Sequence, residues 1–188
     1  MTSGSAEDRL RRFEEVAVPI METLYNAALR LNGDAAAAAD DVQDTYVRAL
    51  KTFDNFRPGT NARAWLFTIL YSVFINKRKK SRREVLVSDV EELEERYRAF
   101  MEPAETVESR NPGPMPQEVE RALLALPETY RAAVLFVDVH ELSYEEAAAA
   151  MECPIGTVQS RVHRGRRMLF VLLEEHARQA GFLPRSMP

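Results

Sequence analysis

The chain has 188 residues, 46% of them hydrophobic, with a formal net charge of −4. That size bounds one or two small domains with a real core. The single Cys excludes an internal disulfide and a cysteine-rich zinc site, and no apolar run approaches the roughly 20 residues of a membrane span.

Residues 1–16 are polar and charged, unlike a signal peptide. The reading is therefore a soluble, cytoplasmic protein. Gly is sparse, no segment alternates with period two, and Ala, Leu, Glu and Arg abound, which predicts an all-α fold. Residues 1–8 read as a frayed end. From Leu10 onward, Phe13, Val16, Ile20, Leu24, Ala27, Ala28 and Leu31 recur on one helical face, with Pro19 marking a kink or a new first turn. Asn32-Gly33 ends that helix and Asp34 caps the next, which runs to about Leu50 with Val42, Tyr46, Ala49 and Leu50 inward. Asp40, Asp41, Gln43 and Asp44 form an acidic ridge, read from the pattern alone as an ordinary solvated face.

Residues 53–61 form a loop whose turn signal is Pro58-Gly59. Phe53 and Phe56 either plug the core or, with Arg57, offer a surface on which an unstacked base stacks. A long helix over 62–82 follows, with Trp65, Leu66, Ile69, Leu70, Val73 and Phe74 on its apolar side. It ends in a basic run, and from 61 to 83 there are seven Lys or Arg and no acid. Helix capping needs fewer cations than this; phosphate contact is their natural use. Residues 84–108 reverse the sign, with nine acids against two Arg. Local patches, and not the net charge, decide where a polyanion binds. Residues 84–116 read as a flexible acidic linker with a short helix near 90–100.

A second domain starts near Gln117, with one short helix to Leu126 and another after Pro127 to about His140. Ser143 and Glu146 make a capping box, and Tyr144, Ala147, Ala148 and Met151 follow at helical spacing. Cys153-Pro154-Ile155-Gly156 supplies a turn, and a helix from Thr157 carries Val158, Val162, Met168 and Leu169 on its back. Its front carries Gln159, Ser160, Arg161, His163, Arg164, Arg166 and Arg167. Two helices, a tight turn and a basic front predict a helix-turn-helix, whose second helix enters the DNA major groove. A helical hairpin with a solvated basic face is the plain alternative. Cys153 reads as a small packed residue in the turn, and His140, His163 and His176 are not spaced as a metal site. No Gly-rich phosphate loop, catalytic carboxylate pair or nucleophile with its base stands at recognisable spacing, so no catalytic residue and no cofactor are assigned.

Taken together, the two halves resemble a bacterial extracytoplasmic-function (group four) RNA polymerase sigma factor. The resemblance rests on Ala39-Asp40-Asp41-Val42-Gln43-Asp44-Thr45-Tyr46 and on Phe56-Arg57-Pro58-Gly59-Thr60-Asn61-Ala62-Arg63-Ala64-Trp65-Leu66. In the second half it rests on Leu126-Pro127, Leu142-Ser143-Tyr144-Glu145-Glu146 and Pro154-Ile155-Gly156-Thr157-Val158-Gln159-Ser160-Arg161. It implies a region 2 domain over 10–83, the linker over 84–116, a region 4 domain over 117–178 and a tail over 179–188. By position, Asp40, Gln43 and Asp44 would bind the clamp coiled coil of core RNA polymerase, with the flap region as a second contact. Phe56, Arg57, Asn61, Arg63, Trp65, Ser72, Asn76, Lys77 and Arg78 would engage the −10 element of promoter DNA. Family members often carry Asn at the Ser72 position. Gln159, Ser160, His163 and Arg164 would meet the −35 element, with Arg161, Arg166 and Arg167 supporting phosphates or the fold. The linker would either track the polymerase or act as a solubilising tether.

Tyr25-Asn26-Ala27-Ala28-Leu29-Arg30, Thr45-Tyr46 and His163-Arg164-Gly165-Arg166-Arg167 are similar to the actinobacterial stress group. That similarity implies control of a stress regulon and a zinc-binding, redox-sensing anti-sigma factor. A two-domain helix-turn-helix regulator acting on duplex DNA without core polymerase is the rival reading; it has no use for the acidic ridge or the aromatic loop.

Overall fold

The computed structural model describes residues 3–81 and 115–179, and these are helical with no strand. The linker helix expected near 90–100, and Arg82 and Arg83 of the basic run, lie outside the described residues. The helices are α1 (Ser3–Ala17), α2 (Met21–Asn32), α3 (Ala35–Lys51) and α4 (Ala62–Ser81), then α5 (Gln117–Ala125), α6 (Glu128–Val134), α7 (Tyr144–Ala150) and α8 (Ile155–Gln179).

α1 begins well before the expected Leu10. Asp8 pairs with Arg11 and Arg12 one turn on. Arg9 reaches across to α3 and the loop after it, donating to the Leu50 carbonyl at 2.6 Å and to Asp54 at 3.0 Å. Those contacts order the amino-terminal turns. Pro19 lies in a single 3-10 turn (Val18–Ile20) between α1 and α2, so the chain takes a new first turn there. Gly33, at φ +71°, closes α2 in the left-handed conformation that costs glycine least. Asp34 then accepts from the Ala37 N–H at 2.7 Å and starts α3.

α3 buries only small or short side chains, Ala38, Asp41, Thr45 and Ala49, and packs Val42, Tyr46 and Leu50 against the core beside them. Leu24, Ala27, Ala28 and Leu31 of α2 and Leu66, Leu70 and Phe74 of α4 are buried with Ala38 and Ala49. Full burial of each large side chain stabilises the fold by about 1.5–3 kcal/mol. Asp41 departs from the expected exposed ridge: it is 2% exposed and points inward, along with Thr45.

In the carboxy-terminal half, α6 widens into a π-helical turn (Leu135–Val139) before the chain turns at His140. α8 lies against α5, α6 and α7. Gly165 makes the α6 approach possible, since a Cβ there would sit 2.6 Å from Val134 Cγ2 and 3.3 Å from the Tyr130 carbonyl oxygen. The tight turn before α8 is formed differently from the expectation. Glu152 takes the left-handed conformation at φ +49°, whereas Gly156 is inside the first turn of α8.

The two helical groups are docked on one another and share one apolar core. α4 is apolar on two sides. Leu66, Leu70, Val73 and Phe74 are buried, as expected, but so are Phe67 and Tyr71 on the other side. Phe67 meets Phe136 edge-on at 5.2 Å between ring centroids, and Tyr71 meets the same ring at 5.7 Å.

Candidate nucleic-acid interface

α7 and α8 form the helix-turn-helix. Ser143 Oγ accepts from the Glu146 N–H at 3.1 Å, and Glu146 Oε2 accepts from the Ser143 N–H at 2.9 Å, completing the capping box. Val158, Val162 and Met168 are buried beneath α8, while Gln159, Ser160, His163 and Arg164 lie exposed on its front. The amino-terminal half of α8 thus presents polar side chains of the kind that read base edges in a major groove. Arg161 and Arg166 are set apart from that group. Arg166 makes a bidentate pair with Asp138 at 3.0 and 2.6 Å, which fixes α8 to the end of the π turn. Arg161 lies 3.5 Å from Cys153 Sγ in the turn. Arg167 is half-buried.

The loop between α3 and α4 resolves its open alternative. Phe53 is in the core and stacks on Phe56 at 5.9 Å, and Phe56 lies 5.0 Å from Trp65. Phe56 and Trp65 keep part of their surface open, and Arg57 is exposed beside them. Asn61 Oδ1 accepts from the N–H groups of Arg63 and Ala64 at 3.1 and 3.3 Å, capping α4. Further along α4, Asn76 donates to Ser72 Oγ at 3.4 Å, and Asn76 is exposed.

On α3, Asp40 and Gln43 are exposed and Asp44 is half-exposed. Lys77 reaches from α4 to Asp41 Oδ1 at 2.9 Å and to Asp44 Oδ2 at 2.8 Å. Desolvation opposes its charge, but hydrogen bonds to Asp44 and Asp41 raise its pKa on balance. Asp41 also accepts from Asn32 Nδ2 at 2.8 Å, so the buried carboxylate is satisfied from two helices. The acidic ridge and the basic end of α4 are therefore joined through one lysine, a link that helical period on its own does not reveal.

Several of the expected −10 residues face the second group. Asn61 Nδ2 donates to Glu146 Oε1 at 2.6 Å, and Arg78 pairs with Glu128 at 3.2 Å. Arg131, 8% exposed, donates to the carbonyls of Leu31 at 2.5 Å, Leu124 at 2.7 Å and Leu126 at 2.9 Å. His140 is buried against Phe67, with centroids 5.0 Å apart and no hydrogen-bond partner for Nε2. Burial first, and then Arg30 and Arg63, push its pKa down to about 4. Glu128, Arg131, Phe67 and Tyr71 were not singled out from the sequence, and His140 was considered there only as a metal ligand and set aside. The signal for them was α4 itself, whose apolar residues exceed one face.

A helix-turn-helix with a polar, basic reading face and an aromatic loop opening a basic helix define a nucleic-acid-binding protein with two separate contact regions. The comparisons make this specific. The Sigma-70 region 2 family matches residues 20–84 and the Sigma-70 region 4 family matches residues 117–169. The chain is 40% identical over 170 residues to the ECF RNA polymerase sigma factor EcfG of Rhodopseudomonas palustris, covering 88% of this chain and 86% of that one. It is 32% identical over 176 residues to the ECF RNA polymerase sigma factor SigE of Mycolicibacterium smegmatis, spanning 88% of this chain and 63% of that one. Among solved structures, the sigma factor RpoE in complex with the anti-sigma factor NepR from Bartonella quintana is similar at 32% identity and a TM-score of 0.66, covering 87% of this chain and 98% of that one. The chain belongs to the extracytoplasmic-function RNA polymerase sigma factors. It is a transcription initiation factor, without enzymatic activity, that binds core RNA polymerase and recognises promoters. No helix among the described residues is long and apolar enough to cross a membrane.

Proposed function

We propose a division of labour among the residues named above. Residues 10–83 act as the region 2 domain, in which Asp40, Gln43 and Asp44 bind the clamp coiled coil. Phe56, Arg57, Trp65, Ser72 and Asn76 take single-stranded −10 bases and Arg63 holds the backbone; Lys77 joins it on leaving Asp41 and Asp44, and Asn61 and Arg78 act on leaving Glu146 and Glu128. Residues 117–178 act as the region 4 domain, in which Gln159, Ser160, His163 and Arg164 read the −35 element. The observation that carries this reading is the front of α8, where four side chains able to hydrogen-bond base edges lie exposed together above a buried apolar back. Neither domain needs to bind tightly alone, because the polymerase raises the effective concentration of both on DNA.

The test is a pair of substitutions. Arg164→Ala weakens binding to a −35 duplex by about 1–3 kcal/mol while leaving a scrambled duplex unaffected. Asp44→Arg lowers affinity for core polymerase with helical content unchanged. Equal binding of wild-type protein to normal and scrambled −35 DNA contradicts the first role; unchanged core affinity removes Asp44 from the interface.

The chain is further proposed to be held by an anti-sigma factor, supported by the RpoE–NepR likeness. The finer reading, a zinc-binding and redox-sensing partner with a cytoplasmic stress regulon, is supported by the three segments around Tyr25, Tyr46 and His163. A purified partner that binds without zinc, and equally before and after oxidation, removes it.

A further inference from the structure

The front of α8 does not end at its reading residues. Gln159, His163 and Arg166 fall on one line along the helix, because four residues are just over one turn and seven just under two. Arg166 lies about 10 Å further along the axis than Gln159. The amino-terminal residues of such a helix meet base edges in a groove about 12 Å wide. A long side chain set back by nearly the width of the groove meets its wall, where the phosphates are.

Arg166 is not a loose cation there. Asp138 accepts from its Nε at 3.0 Å and from its Nη2 at 2.6 Å. The hydrogen bond to Asp138 raises the Arg166 pKa against partial desolvation, and Tyr144 at the start of α7 adds a smaller contribution. Asp138 stands in the π turn that ends α6, and π turns recur at functional sites. Beside the pair, Val134 lies where a Cβ on Gly165 would come within 2.6 Å, so α6 and α8 are at close approach. The Arg166 side chain is 52% exposed and that of Asp138 27%, so the cation is the outer partner.

A pair this exposed adds little to stability. What it fixes is direction. A guanidinium has five N–H groups. Asp138 takes one from Nε and one from Nη2, which leaves the end-on edge, Nη1 with the second hydrogen of Nη2, outside that contact. Such a fork matches two oxygens of one phosphate. The carboxylate behind it cancels most of the charge at long range, so the pair gives DNA little unspecific attraction and much geometric definition.

We propose that Asp138 is a positioning residue for DNA recognition. It holds the Arg166 guanidinium so that the end-on fork grips one backbone phosphate beside the −35 element, which sets the register in which Gln159 and His163 meet the bases. This rests on the reading of α8 given above. Phosphate contacts carry no sequence information themselves but fix the protein on the duplex. Removing Asp138 therefore frees a cation and loosens the register. Scrambled DNA is then bound at least as tightly as before, while intact −35 DNA is bound less tightly.

The experiment uses the full chain bound to core RNA polymerase, with promoter duplexes in which one phosphate at a time around the −35 element is replaced by an uncharged methylphosphonate. With the wild-type chain, one position weakens binding by about tenfold. With Arg166→Ala that position costs nothing extra. With Asp138→Ala its cost spreads over neighbouring positions, and the ratio of affinities for intact and scrambled −35 DNA falls. The same phosphate profile for wild-type and folded Asp138→Ala chains leaves Asp138 a role in stability alone and overturns the proposal. A profile unchanged by Arg166→Ala overturns it as well, whatever Asp138→Ala does to folding. Wild-type binding that ignores scrambling of the −35 element overturns the reading of α8 and the positioning role with it, so the two failures are distinguishable.

Discussion

His140 shows how a single side chain reports on the packing of the whole molecule. It is 6% exposed, lies against Phe67, and has Arg30 of α2 and Arg63 of α4 as its charged neighbours. Folding holds its pKa near 4, against an ordinary value near 6.5. The folded state binds the proton less well, so the stabilisation is fully present above pH 6.5 and is lost as the pH falls from there toward 4. Between pH 7.5 and pH 5 the loss is about 2 kcal/mol. Urea unfolding at those two values measures it, and His140→Phe, which keeps a ring beside Phe67, removes this share of the pH dependence. An identical pH dependence in wild type and variant contradicts the placement. The sequence left His140 as a lone histidine because its partners come from residues more than seventy positions earlier. Asp41 was misread for a related reason. Helical period grouped it with Asp40 and Asp44, but Asn32 and Lys77 supply two donors that let a carboxylate turn inward.

At the scale of elements, the local signals were legible where one residue type has one physical job. Asp34 and the Ser143–Glu146 box start α3 and α7 as their side chains dictate. The turn before α8 was not legible, because the left-handed position went to Glu152 and not to the nearby Gly156. Gly165 was read only as part of a motif. Its task is to bring α8 onto α6, and Val134 is β-branched and stiff, so it does not yield to a new methyl group. Gly165→Ala therefore destabilises the protein by about 1–3 kcal/mol despite its better helix propensity. Thermal unfolding checks this; a rise in melting temperature contradicts the close approach. α4 carried its own warning, since Phe67 and Tyr71 lie outside the face that packs on α2 and α3. Apolar residues on a second side of a helix announce a second neighbour.

For the whole molecule, an acidic stretch rich in proline suggested two domains moving independently, and nothing local encodes their docking. The docking is carried by long-range pairs, such as Arg131 with the Leu31 carbonyl, whose separation of 100 residues no periodicity reveals. The two candidate contact regions, by contrast, were legible in short motifs whose chemistry is local, an aromatic loop opening a basic helix and a capped helix-turn-helix; their proposed −10 and −35 roles came with the family resemblance those motifs carry. Run-off transcription joins both halves in one readout. The purified chain is mixed with bacterial core RNA polymerase and promoter fragments whose −35 and −10 elements are scrambled one at a time and together. The account predicts specific starts that are absent without the protein, weakened by Arg164→Ala on the −35 side, and lost when both elements are scrambled. No initiation on any fragment by the folded, inhibitor-free protein would contradict it.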